Sequence, residues 1–277
     1  MAHDQIWALT PDLAVCRDNA AVPELDLLTI VLLLVAGLAA GWVDAVVGGG
    51  GLIQLPALLL VPGISPVQAL ATNKLGSIMG TSTSAITYYR RVQPDMRTAG
   101  PMALAALVGA FGGAIGASYI PDELFKPIIL VVLVGVLTWT LLKPNVGQHD
   151  NLRWVGNGHK RIAALIGLLI GAYDGLLGPG TGTFLVISLV SALGYSFLPA
   201  SAIAKIVNFA TNAGALIFFV PSGAVIWSLG LGLGVANLIG AYIGARMAVA
   251  KGSRFVRVVF VVVVGALIAR LAWDVFA

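Results

Sequence analysis

Four charged residues stand alone in long apolar stretches of this 277-residue sequence. Between residues 27 and 89 the charged residues are Asp44 and Lys74, and between 162 and 245 they are Asp174 and Lys205. A charge in hydrocarbon costs at least about 2.5–3.5 kcal/mol, so such a group usually faces a partner or a water-filled cavity. The two lysines are therefore predicted to bind an anion. The two aspartates are predicted to act as proton carriers or as ion-pair partners.

A purely structural role for these residues is the alternative. An Asp44–Lys74 pair and an Asp174–Lys205 pair would each hold one half of the chain together. The lysines lie roughly 9–12 Å into their predicted helices at 1.5 Å per residue, which is too deep for easy escape to the headgroups. The sequence leaves both roles open.

Glycine-rich runs interrupt two apolar segments close to these charges. The runs are Gly48–Gly51 and Gly178–Gly182, and short apolar segments follow at 52–62 and 183–194. Unwound backbone at membrane depth survives where it lines a cavity or is buried in protein. The N-terminus of a helix carries free amide groups and a partial positive charge. The pattern predicts one anion near the midplane, flanked by the lysines and capped by the amides of Gly49–Leu52 and Gly180–Thr183.

Polar side chains surround the lysines at helical spacing, either to contact a ligand or to form hydrogen bonds between helices. The predicted substrate-binding residues are Lys74, Lys205, Gly49, Gly50, Gly51, Gln54, Asn73, Ser77, Gly180, Thr181, Gly182, Thr183, Asn208 and Asn212. The predicted coupling or ion-pairing residues are Asp44 and Asp174. The histidines, which are His3, His149 and His159, are assigned to tail or loop.

The composition identifies a multi-pass membrane protein. Hydrophobic residues make up 58% of the chain and charged residues 10%, against roughly 25% charged in a soluble domain. Cys16 is the single cysteine, which excludes an internal disulfide and a cysteine-clustered metal site. The net charge of +4 is too small to indicate nucleic-acid binding. No metal, cofactor or catalytic residue is predicted, and the oligomeric state is left open.

The apolar segments define the predicted organisation, an all-α protein with about eight transmembrane segments. They lie at 27–47, 52–62, 66–89, 99–119, 124–142, 162–177, 183–194, 199–220, 224–246 and 255–276. The predicted parts are a polar tail at 1–26, a first repeat at 27–142, a cytoplasmic linker at 143–161 and a second repeat at 162–277. The segments at 52–62 and 183–194 are too short to span a core of roughly 30 Å.

Basic loops predict the orientation in the plasma membrane. Lysines and arginines gather at 90–98, 143–161 and 251–257, and cytoplasmic loops carry such an excess. The connections at 120–126 and near Pro221 are then outside, and so are both termini.

The two halves are related in sequence. Gly41–Gly50 aligns with Gly171–Gly180 at an offset of about 130, and Lys74 falls opposite Lys205 at nearly the same offset. With the loop assignment, the first copy starts outside and the second inside. The sequence thus predicts two inverted-topology repeats of about four helical elements each, every one with a glycine-broken hairpin. Many secondary transporters are built on this plan, with the site at the midplane.

These residues resemble those of the sulfite exporter TauE/SafE family of membrane transporters over about 27–276. The resemblance rests on Gly41–Gly51, Leu52-Ile53-Gln54-Leu55-Pro56, Ala71-Thr72-Asn73-Lys74, Asp174–Gly182, Lys205 and Asn208. It implies export of small sulfur-bearing anions such as sulfite, sulfoacetate and other sulfonates. The chain has no Gly-x-x-x-x-Gly-Lys-Ser/Thr loop, so the energy is expected to come from an ion gradient or the substrate's own. A proton and a sodium ion both remain candidates for the coupled ion.

Three other functions are compatible with parts of the pattern. A transporter of another small anion would use the same charges, and so would an anion channel. An intramembrane aspartyl protease would use two membrane aspartates to activate water. Its second aspartate belongs to a Gly-x-Gly-Asp motif, whereas Asp44 stands in Gly41-Trp42-Val43-Asp44, and the lysines would have no role.

Overall fold

The computed structural model describes residues 25–121, 123–124, 128, 151–154 and 156–276, with backbone alone at 257, 260–261 and 263–276. Every regular element within these ranges is helical, which confirms the all-α prediction. The predicted segment at 124–142 and most of the tail at 1–26 lie outside the described residues.

Eight helices form the described part of the chain. They are α1 (Leu27–Val47), α2 (Gly51–Leu59), α3 (Pro66–Val92), α4 (Met96–Ala117), α5 (Gly156–Leu176), α6 (Thr181–Ser188), α7 (Phe197–Phe219) and α8 (Trp227–Phe276). A π-helical turn, Leu189–Leu193, continues α6. Helix α8 is broken at Gly252, whose φ of 73° and ψ of −171° are not helical.

Local sequence signals account for the helix starts. Ser65 and Gln68 form a capping box at the start of α3, where Pro66 is the first residue and lacks an amide hydrogen that would need a partner. Asp26 and Asp95 cap α1 and α4 by accepting hydrogen bonds from backbone amides of the first turn.

Helix pairs in close contact form the body of the protein. Helix α1 packs along α8 and α5 packs along α4, and these are the most extensive contacts in the described structure. Helix α3 also packs against α8 and α7 against α4, while α3 and α7 contact each other at the centre. Small residues allow the α1–α8 and α4–α5 backbones to approach: a Cβ on Gly41 would lie 2.0 Å from the Asn237 carbonyl oxygen, and one on Gly109 would lie 2.2 Å from that of Leu168.

The outer surface is apolar and the centre is polar, the arrangement expected in a membrane. Large apolar side chains face outward, including Leu27 on α1, Leu104 on α4 and Leu169 on α5. By length and composition, four of the described helices can cross a membrane: Leu27–Val47, Met96–Ala117, Phe197–Phe219 and Trp227–Val256. Helices α2 and α6, with 9 and 8 residues, are short, as predicted.

Two loop assignments are wrong. The predicted loop at 90–98 is reduced to 93–95, because residues 90–92 belong to α3 and residues 96–98 to α4. His159 is not in a loop, because α5 begins at Gly156 and extends into the predicted linker at 143–161. The residues before Ile162 are polar, so the apolar pattern places the start of this helix too late. His159 is 7% exposed.

Candidate functional site

The two glycine breaks meet at the centre of the molecule. Gly48 ends α1 with a φ of 87°, and Gly178 and Gly180 connect α5 to α6 with φ values of 88° and 77°. The amide of Thr183 donates a hydrogen bond to the Gly48 carbonyl at 3.1 Å. A Cβ on Gly48 would lie 2.2 Å from the Gly182 carbonyl carbon, so the backbones touch without side chains between them. Helices α2 and α6 therefore begin close to each other, as the glycine runs predict.

The four isolated charges form two ion pairs at this place. Lys74 Nζ on α3 lies 2.7 Å from Asp174 Oδ2 on α5, and Lys205 Nζ on α7 lies 3.1 Å from Asp44 Oδ2 on α1. Lys205 also donates to the backbone carbonyl of Asp44. The lysines are 1% and 0% exposed, so both pairs are shielded from solvent.

The structural alternative of the sequence analysis is therefore wrong in its partners. Asp44 does not pair with Lys74, nor Asp174 with Lys205: each lysine pairs with the aspartate of the other half. The reason is that the end of α1 lies against the start of α6, which brings Asp44 to the half that contains Lys205. Both pairs join the two halves instead of closing each one separately.

A small polar cavity lies between the breaks. It measures about 20 Å³, taken as the space open to the centre of a water molecule. Residues of both halves line it: Asp44, Gly48, Gly51, Asn73, Lys74, Ser77, Asp174, Gly178, Gly180, Thr181, Gly182, Asn208 and Asn212. About 10–15 Å³ holds one water, so the cavity as it stands is too small for a sulfonate.

Five of the predicted binding residues do not line this cavity. They are Gly49, Gly50, Gln54, Thr183 and Lys205. Gln54 Oε1 accepts a hydrogen bond from Asn237 Nδ2 at 2.7 Å, and Gln54 Nε2 donates to the Asn73 carbonyl at 3.5 Å, so its amide joins helices. Gly50 packs against α1, where a Cβ would lie 2.6 Å from the Ala40 carbonyl oxygen.

The predicted amide cap needs correction at both of its ends. The amide of Leu52 already donates to the Gly49 carbonyl and that of Thr183 to the Gly48 carbonyl, each at 3.1 Å. Among the described residues, the amides of Gly51, Gly180 and Gly182 donate no backbone hydrogen bond outside the helices, and all three glycines line the cavity. These three amides are therefore the candidates for contact with a ligand.

Hydrogen bonds fix the remaining side chains of the site. Thr181 Oγ1 donates to Asp174 Oδ1 at 2.5 Å, and Asn212 Nδ2 donates to the Asn208 carbonyl at 2.9 Å. Within the described residues, Asn73 Oδ1 is buried and has no hydrogen-bond partner. The cavity therefore contains an acceptor whose bonding capacity is unused.

A second polar cluster, which the sequence analysis missed, lies at the start of α4 and α5. Thr98 Oγ1 lies 2.9 Å from Asp95 Oδ2, 2.9 Å from His159 Nε2 and 2.8 Å from the Tyr195 hydroxyl. Desolvation raises the pKa of Asp95, but hydrogen bonds from the Thr98 hydroxyl, the Arg97 amide and the Tyr195 hydroxyl, with the charge of His159, bring it below its ordinary value. The residues are far apart in sequence, and only the capping pattern Asp95-x-x-Thr98 marks the place.

Comparison with known proteins places this geometry in context. A profile described as Sulfite exporter TauE/SafE matches residues 33–271. The chain is 38% identical over 250 residues to probable membrane transporter protein ORF9 of Sinorhizobium sp, covering 88% of this chain and 93% of that protein. It is 34% identical over 248 residues to probable membrane transporter protein YfcA of Escherichia coli K12, covering 90% and 91%. No solved structure matches the chain significantly.

Proposed function

This chain belongs to the sulfite exporter TauE/SafE family and is a membrane transporter, and from this premise we propose that it exports small sulfur-containing anions. The proposed mechanism is secondary transport across the plasma membrane. The observation that carries it is the burial of two lysines, one from each half, where the N-termini of two half-helices meet. Amide groups and positive side chains at a helix N-terminus suit a compact oxyanion such as sulfite or a sulfonate.

Two inverted repeats are proposed as the architecture. If the halves are repeats, α1 is equivalent to α5, α3 to α7 and α4 to the first part of α8. The contact of α1 with α8 is then equivalent to that of α5 with α4, and the contact of α3 with α8 to that of α7 with α4, as observed. The glycines of the close helix contacts follow the same offset of 130–131: Gly37 with Gly167, Gly41 with Gly171, Gly109 with Gly240, and Gly113 with Gly244. Both the helix packing and the glycine positions support the two-repeat architecture.

The anion is proposed to bind in the central cavity after the cavity has opened to one side. Lys74 supplies positive charge within the cavity, and Lys205 supplies it from behind Asp44, which lines the cavity. The amides of Gly51, Gly180 and Gly182 supply hydrogen bonds. A volume of about 20 Å³ requires the halves to move apart before a sulfonate enters. Rocking of the halves about the glycine breaks would expose the site to each side in turn, as in other inverted-repeat transporters.

The aspartates are proposed to be counter-ions. Each aspartate contacts a lysine. A protease would instead need the two carboxylates paired with each other to activate water for hydrolysis. Passive flux through a channel and transport of another small anion are outcomes of the test below.

Reconstitution of the full chain in proteoliposomes tests the function. Uptake of sulfite, sulfate, sulfonates, carboxylates and phosphate is measured with and without unlabelled substrate inside. We expect counterflow of labelled sulfite or sulfonate, which a channel does not show. Preference for carboxylate or phosphate would replace the substrate class, strictly passive flux would indicate a channel, and transport of an organic cation would refute the proposal.

A further inference from the structure

The two ion pairs, which an exact repeat would make equivalent, are different. Lys205 is held by both the carboxylate and the backbone carbonyl of Asp44. Among the described residues, Lys74 Nζ contacts one acceptor, Asp174 Oδ2. Loss of the carboxylate interaction therefore leaves Lys205 with an acceptor and leaves Lys74 with none.

The two lysines also differ in their position relative to the cavity. Lys74 and Asp174 both line it, whereas of the other pair Asp44 lines it and Lys205 does not. Apart from the ion pair, Asp174 Oδ2 has no hydrogen-bond partner in the described structure. Asn73, which lines the same cavity, carries an unused acceptor, Oδ1, that an O–H group can satisfy but a carboxylate cannot.

Charge balance determines what must accompany an anion. The two lysines and two aspartates sum to zero, so a monovalent anion alone would leave one uncompensated negative charge in a buried site, which is costly. One proton on Asp174 Oδ2 restores neutrality. It also removes the negative charge of the ion pair that holds Lys74, and the ammonium group becomes free to bind the anion.

Other ionisable groups close to Asp174 are already engaged. Lys205 and Asp44 bind each other, and the Tyr173 hydroxyl donates to the Pro179 carbonyl. The described histidine, His159, belongs to the cluster around Thr98, and neither residue lines the cavity. Asp174 is therefore the carboxylate whose protonation frees a cation.

We propose that the transporter moves one proton with each monovalent anion, with Asp174 holding the proton and Lys74 the anion, while Lys205 and Asp44 remain paired. This inference rests on the proposed function and assigns the direct contact to Lys74. Water on the open side supplies the proton to Asp174 Oδ2, and water on the other side accepts it when the anion leaves and Lys74 returns. The loaded and unloaded sites are both neutral, so the cycle carries no net charge. Export then runs down the anion's own concentration gradient, because an inward proton gradient by itself would drive the anion inward.

Potential and pH gradients applied separately test the coupling in proteoliposomes. Methanesulfonate is the first probe because it is fully ionised and cannot carry a proton itself; if it is not transported, the monovalent anion preferred in the uptake screen replaces it. We expect a one-unit pH gradient to drive about tenfold accumulation. We expect a potential of about 100 mV to have no effect, whereas transport of the anion alone would change accumulation about 50-fold. An entrapped pH dye should report one proton per anion.

Matched double variants assign the roles. Lys74→Met with Asp174→Asn should abolish transport. Lys205→Met with Asp44→Asn removes positive charge next to the cavity and should lower the transport rate, but the flux that remains should keep the one-to-one proton ratio. Each variant removes one whole ion pair, so neither strands a buried charge. If a double variant fails to insert, the wild-type proton ratio still decides the coupling.

The two proposals fail in different ways. Anion flux that follows the potential and ignores pH would overturn the proton coupling and leave the transport function intact. Absence of flux for every anion would overturn the function itself. A retained proton ratio in the Lys74–Asp174 double variant would overturn the assignment of residues.

Discussion

Replacement of Lys74 by methionine tests which aspartate is its partner. The change keeps the length of the side chain and removes the charge, and it leaves the Asp174 carboxylate without a counter-ion. The two groups are 2.7 Å apart, with side chains 1% and 3% exposed, so solvent does not replace the lost contact. Removal of one partner of a buried pair costs about 3–5 kcal/mol. At roughly 2–4 °C per kcal/mol, the melting temperature should fall by about 6–20 °C.

The second substitution identifies the partner. Addition of Asp174→Asn removes the stranded charge, and the asparagine oxygen still accepts the hydrogen bond that Thr181 donates to Oδ1. We expect this double variant to recover most of the lost melting temperature, because replacement of both members of a buried pair is often close to neutral. Addition of Asp44→Asn to the same lysine variant should instead lower stability further, since it leaves Lys205 without its carboxylate.

Thermal unfolding of the purified protein in detergent measures all of these variants. The same cycle with Lys205→Met and Asp44→Asn is the matched control for the other pair. Recovery of the Lys74→Met variant by Asp44→Asn, and not by Asp174→Asn, would show that each half closes its own ion pair. That result would refute the crossed arrangement.

Four further predictions follow from packing, hydrogen bonds and topology. Gly182→Ala should destabilise the protein by about 1–3 kcal/mol, since its Cβ would lie 2.5 Å from the Gly48 Cα. Gly112→Ala, with open space at a position inside α4, should keep or slightly raise the melting temperature. Thr98→Val should cost about 1–3 kcal/mol in chemical unfolding, because it leaves buried polar groups unpaired, and Thr98→Ser should restore most of the loss. The lowered pKa of Asp95 contributes stability above the ordinary carboxyl value of about 4 that is lost as the pH falls through the folded value, so Asp95→Asn should flatten the acid side of a melting-temperature profile; an unchanged slope would contradict this. A cysteine at Gln93, between α3 and α4, placed in a Cys16→Ser background, should react with an impermeant reagent from the cytoplasmic side, and labelling from outside would reverse the proposed orientation.

The amino-acid sequence is sufficient to locate the centre of the molecule. A charge or a helix break is energetically costly in an apolar chain, so the residue pattern alone predicts that the two lysines and the two breaks lie close together. The helix bounds are also close, since α1 spans the predicted 27–47.

Pairing and local hydrogen bonds are beyond the reach of the sequence. Because Asp44 is the nearer aspartate in the chain, the sequence favours it as the ion-pair partner of Lys74. The contact of Gly48 with Thr183 brings the two halves together, and Lys74 pairs with Asp174 instead. The Thr98 cluster joins residues 61 to 97 positions apart, and no local pattern announces such contacts. Tertiary packing decides both features.

The crossed pairs also determine when each ion pair can form during synthesis. Asp44 can pair only after Lys205 has been made, which is 161 residues or about 8–32 s later at 5–20 residues per second. During that interval the first half is in the membrane with an acid and a base whose final partners do not yet exist. The nascent half is therefore expected to hold Asp44 and Lys74 against each other, against lipid headgroups or against the insertion machinery, and to exchange those contacts when α5 and α7 arrive. Co-expression of the two halves as separate chains should yield stable protein, whereas the first half alone should be degraded.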